Sequence, residues 1–84
     1  MAVIENLRDL EKFAALVAEM NGPELIGQHL VLRGAENALR AASHLVPFGA
    51  ARQVIGEMLQ NVRDSMAIVE SAASASAVQL VTVE

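Results

Sequence analysis

The sequence predicts an all-α protein of three amphipathic helices followed by an extended apolar tail. Three observations predict it. Apolar residues recur at three- and four-residue steps over three stretches, at about 3–20, 23–45 and 50–73. Two breaker segments, Asn21-Gly22-Pro23-Glu24 and Val46-Pro47-Phe48-Gly49, separate those stretches. Only the final segment, Val78-Gln79-Leu80-Val81-Thr82-Val83, combines β-branched residues with the absence of any charge.

In the first stretch, Val3, Leu7, Leu10, Ala14 and Val17 form a stripe that Ile4, Phe13, Leu16 and Met20 widen. Glu5, Arg8, Asp9, Lys12 and Glu19 lie opposite, so the helix has one wet face. Asn21 or Gly22 suits the left-handed conformation that follows a helix end. Pro23 fits the first turn of the next helix, and Glu24 stands favourably near its positive end.

The second stretch has a narrow polar stripe of His29, Arg33, Glu36, Asn37, Arg40 and His44. Val31, Ala35, Ala38, Ala42 and Leu45 lie roughly opposite, with Leu32 and Leu39 beside them. A narrow polar stripe predicts a central helix that touches protein on more than one side. Proline costs about 3 kcal/mol inside a helix, so 46–49 is expected to be a turn. The third stretch presents Ile55, Met58, Leu59, Val62, Met66, Val69 and Ala73 on its apolar face. Arg52, Gly56, Gln60, Arg63, Glu70 and Ser74 form its wet face. Its length is about 35 Å, similar to that of the second.

Ser71–Ala77 is a low-complexity run that suits either more helix or a flexible joint. In the tail beyond it, neither face of an extended chain would be polar. A lone strand cannot satisfy its own backbone groups. Three fates are open: disorder, continuation of the third helix, or docking on another subunit's sheet edge or on copies of itself. A free Val-Leu-Val-Val tail is an aggregation hazard, which favours docking. Val78, Leu80, Val81 and Val83 are therefore the candidate partner-docking residues. The chain divides into a helical domain, 1–76, and a docking tail, 77–84.

Composition points the same way. Of the 84 residues, 54% are hydrophobic, and the mean hydropathy is +0.39. A chain this short buries only about 60–65% of its unfolded surface if it folds alone. The excess needs a membrane or other subunits. The longest runs without Asp, Glu, Lys or Arg are Ala41–Ala51 and Ser71–Val83, both short of the roughly 18–20 residues of a membrane span. The first residues lack the basic start of a secretory signal. The expectation is a cytoplasmic or virion protein with no membrane partner, a homo-oligomer that also meets another protein subunit through its tail. Charge adds a register. Residues 1–24 carry −3, residues 25–63 carry +2 and residues 64–84 carry −3. Ends of one copy can thus meet the middle of another. Ala35, Ala38 and Ala42 are expected to allow close helix packing across that interface, with Arg33 and Arg40 pairing between subunits.

Chemistry-bearing motifs are sparse. The chain has no Cys, Trp or Tyr, which removes thiolate metal sites and argues against base-stacking recognition. His29 and His44 are fifteen residues apart, over about 20 Å along a helix, and cannot share a metal. No nucleophile–base spacing involves Ser43 or Ser65. No catalytic residue, metal or cofactor is expected, and the chain is read as a non-enzyme. The segment His29-Leu30-Val31-Leu32-Arg33-Gly34-Ala35 resembles the phosphotransfer-histidine segment of Hpt-type helical bundles. In that family a basic residue follows the histidine by three positions and a glycine by four; here Arg33 and Gly34 each come one later. That slip turns Gly34 by about 100° on a helix, and the family needs four helices. The resemblance implies a signalling domain with His29 as phosphoryl acceptor. Arg33, Arg40, Arg52 and Arg63 suggest a second alternative, a DNA-binding helical dimer, which the acidic balance opposes. The leading expectation is a structural or adaptor subunit of a homo-oligomer or larger assembly, such as a phage capsid decoration or neck protein.

Overall fold

A computed structural model describes residues 9–46 and 48–80. It holds three helices, α1 (Leu10–Ala18), α2 (Gly22–Leu45) and α3 (Ala50–Ala75), and no strand among the described residues. The two long helices match the sequence periodicity closely. Expected helix residues 3–8 lie outside the described residues.

α1 begins later than the apolar spacing suggests, because Asp9 is a cap and not a helical residue. Its backbone is extended (φ −116°, ψ 96°), and its carboxylate accepts the Lys12 amide. An exposed Asp suits a wet helix face and an N-cap equally, so periodicity runs straight through it. At the other end, Asn21 does not finish α1 in a left-handed conformation; it starts α2. Its side chain accepts the Glu24 amide at 2.9 Å, and the Glu24 carboxylate accepts the Asn21 amide at 3.0 Å. This reciprocal capping box leaves a connection too short for anything but a sharp reversal.

α2 and α3 form an antiparallel hairpin. The Arg63 guanidinium donates to Glu36 at 3.2 Å, and His29 lies 3.7 Å from Glu70. Seven residues down α2 thus match seven residues up α3. The turn between the helices depends on Gly49, whose φ of +96° a side chain would strain. α1 returns along the pair and packs chiefly on α3.

The core sits at one end of this arrangement. Phe13 and Val17 of α1 meet Leu25 and Leu32 of α2 and Val62, Val69 and Ala73 of α3. No described residue between 33 and 61 is buried. The physical reason is length. At about 1.5 Å per residue, the nine residues of α1 span roughly 14 Å, against roughly 39 Å for the 26 of α3. Among the described residues, a third helix therefore lies beside only the half of the hairpin formed by the start of α2 and the end of α3.

The end of α3 answers the question of the tail for residues 78–80. The Val78 amide donates to the Ala73 carbonyl at 2.8 Å and the Ala77 amide to Ser74 at 3.2 Å, with Ala77 at φ +56°. This is a Schellman closure with alanine in the position that glycine usually takes. It turns the chain back, so residues 78–80 do not continue the helix. Val78 and Leu80 pack on this chain's own core, Val78 lying 3.6 Å from where a Cβ on Gly22 would stand. The rest of the expected docking tail, Val81 and Val83 included, lies outside the described residues.

Candidate functional site

The stripes of the hairpin define two sides. On α3, Ile55, Leu59, Val62, Met66, Val69 and Ala73 step by four and three toward α2. On α2, Leu25, His29, Leu32, Glu36, Leu39 and Ser43 do the same toward α3. Beside this seam, one side is polar: Arg63 reaches Glu36, and Glu70 approaches His29. Arg33 and Arg40, expected to pair between subunits, flank the same side of α2. Arg33 is half-buried and Arg40 exposed.

The other side is apolar. Its α3 stripe is Val54, Met58, Asn61, Ser65, Ile68 and Ala72. Where α1 lies, Ser65 is fully buried and Ile68 and Ala72 pack on the core. Past the reach of α1 the same stripe opens, and Val54 and Met58 are 53% and 51% exposed. The neighbouring flank of α2 carries Ala35, Ala38, Ala42 and Leu45. Ala35 packs on the core, Ala42 is half-buried, and Ala38 and Leu45 are exposed. Leu45 and Phe48, at the hairpin tip, are 83% and 82% exposed. The three alanines expected at an interface thus share a face with Leu45, Val54 and Met58. Val54 and Phe48 carried no sequence signal of exposure. The available clue was a stripe continuing beyond the length of the short helix that covers it.

The polar groups nearest to chemistry are otherwise engaged or enclosed. The hydroxyls of Ser43 and Ser65 donate to the carbonyls of Arg40 and Asn61, at 2.7 and 2.9 Å, one turn back on their own helices. His29, expected on a wet stripe at a surface or interface, is buried at 2% exposure between Leu25 and Leu32, because α3 crosses directly over it. Neither ring nitrogen has a hydrogen-bond partner in the described structure, the Glu70 oxygen being too distant. A phosphoryl acceptor must present its imidazole to a partner; this one faces a dry core. Among the described residues no cluster of His, Asp or Glu has the arrangement of a metal site, and no helix is long and apolar enough to cross a membrane.

Comparison with protein-family models, with curated proteins and with solved structures finds no match. The surface chemistry of the hairpin is therefore the basis for a functional reading.

Proposed function

We propose that this chain is a non-enzymatic structural or adaptor subunit of a homo-oligomeric or larger protein assembly, and that it joins the assembly through the uncovered half of its hairpin. One observation carries the reading: exposed Ala38, Leu45, Val54 and Met58, with half-buried Ala42, form an apolar patch on the half of the hairpin away from the core. Contiguous exposed apolar surface of this kind marks protein contacts, because charge is depleted at interface centres. A role inside a particle, such as a phage capsid decoration or neck protein, is one setting that suits a small, apolar, helical subunit. The expected tail contribution passes to Val81 and Val83, since Val78 and Leu80 pack on the chain's own core.

The test is light scattering behind size exclusion, over a range of concentrations, on the full chain and on Val54→Glu/Met58→Glu, with binding of an apolar-surface dye in parallel. Both positions are half-exposed, so the substitutions leave the helices intact. The reading expects self-association, or a dye-binding monomer, and loss of either in the variant. A monomer that binds no dye contradicts it.

A further inference from the structure

We infer that Asn21-Gly22 is a self-modification site, at which the Gly22 amide converts Asn21 to isoaspartate, and that the capping box at the start of α2 holds this reaction in check. The inference is independent of the assembly reading.

The residues supply the chemistry. Asn21-Gly22 is the only Asn-Gly pair in the chain. The Gly22 nitrogen can attack Cγ of the Asn21 side chain, because glycine has no side chain to hinder the approach. The Gly22 N–H proton is lost, the N–Cγ bond forms, and the Cγ–Nδ2 bond breaks with release of ammonia. The product is a five-membered succinimide. Water then opens either of its carbonyls and leaves aspartate or isoaspartate at position 21. In isoaspartate the main chain runs through the former side chain. Asn6, Asn37 and Asn61 are followed instead by Leu7, Ala38 and Val62. Asn37 and Asn61 also lie inside α2 and α3, where the next amide is tied into the helix.

The structure both permits the reaction and restrains it. Asn21 is exposed, so water reaches it. Gly22 is the first residue of α2, and its amide has no acceptor within the helix. The restraint is the box. The Asn21 side chain accepts the Glu24 amide at 2.9 Å, and the Asn21 amide donates to the Glu24 carboxylate at 3.0 Å. Asn21 has ψ 176°, which sets the Gly22 nitrogen trans to the Asn21 nitrogen. A five-membered ring needs it close to the plane of Cα and Cβ instead. Rotation to that position breaks the box, together with the bond from the Leu25 amide to the Asn21 carbonyl at 2.9 Å. Val78, 3.6 Å from where a Cβ on Gly22 would stand, crowds the same rotation. Reaction therefore waits on local opening of the α1–α2 reversal.

The change is one-way. Aspartate at 21 can still accept the Glu24 amide, since it is a good N-cap. Isoaspartate cannot, because its extra main-chain methylene displaces both the side-chain acceptor and the carbonyl that begins α2. Each opening that ends in isoaspartate removes the cap permanently from the reversal that joins α1 to α2.

The test incubates the full chain at mildly alkaline pH, with and without urea. Mass mapping of peptides follows Asn21, and an isoaspartate methyltransferase marks the rearranged product. The inference expects slow reaction in the folded chain, at Asn21 ahead of every other asparagine, and several-fold faster reaction in urea. Glu24→Ala, at an exposed position, should react several-fold faster than the parent without urea and at unchanged helicity. Gly22→Ala should suppress the reaction in both conditions. Equal rates with and without urea, a Glu24→Ala chain no faster than the parent, or no reaction at Asn21 even in urea overturns it. The isolated isoaspartate form should also unfold at lower urea than Asn21→Asp; equal midpoints contradict the loss of the cap.

Discussion

Leu32 and Leu39 stand one heptad apart on the same stripe of α2, facing the same helix. Leu32 is 1% exposed, whereas Leu39 is only partly buried. The α3 side repeats the contrast: Val69 and Val62 are 0% and 4% exposed, and Ile55, on the same stripe, is only half-buried. Both halves of the hairpin have the same chemistry along the seam. They differ in whether α1 lies over them. An apolar period specifies which face of a helix turns inward; the reach of a neighbouring element decides how dry that face becomes. Among the described residues, the half beside α1 is a small three-helix core, and the far half is formed by α2 and α3.

The largest effect should come from removing what makes the covered half a core. Phe13→Ala empties the centre of the cluster and is expected to cost about 3–5 kcal/mol, enough to unfold a domain of this size. Met58→Ala, in the open half, should stay within about 0.5 kcal/mol for the monomer. Urea unfolding of dilute protein, followed by circular dichroism, compares them directly. Comparable losses would mean that the two halves are not distinct.

A heptad pair sharpens the contrast. Leu32→Ala should destabilise by about 2–4 kcal/mol, and Leu39→Ala by roughly half as much, because a half-buried side chain loses less on truncation. His29 offers a change of opposite sign. Its imidazole is buried without a hydrogen-bond partner, so His29→Leu should raise stability by about 1 kcal/mol, read as a higher urea midpoint at unchanged slope. A loss instead would show that the ring has a partner in solution, most simply Glu70. The smallest gain is expected at the exit of α3. Ala77 sits at φ +56°, and Ala77→Gly should relieve up to about 1 kcal/mol.

Much of this architecture was legible. The second and third helices, their turn and the seam between them follow from three- and four-residue spacing and from Pro47 and Gly49. The wet face of α3, from Arg52 to Ser74, is exposed throughout. What escaped depended on ambiguous residues or on distance in the chain. Asp9 suits a wet stripe and a cap alike. Asn21 suits the end of one helix and the start of the next. His29 looks like surface until α3 is laid across it, and nothing local says that it will be. The alanine-rich exit of α3 hid a Schellman turn, because the left-handed residue is Ala77 and not glycine. The candidate face was partly visible: Ala35, Ala38 and Ala42 were singled out, but Val54 and Met58, which share their side of the hairpin, are exposed on a stripe that is buried farther along α3 where α1 lies.

Backbone hydrogen exchange at two protein concentrations tests the central contrast most directly. In dilute solution the account predicts strong protection for amides in 25–32 and 62–75 and weak protection in 36–45 and 54–61. On concentration, protection should grow in the second group alone, as a partner covers the open half. Uniform protection across both groups, unchanged by concentration, would contradict it.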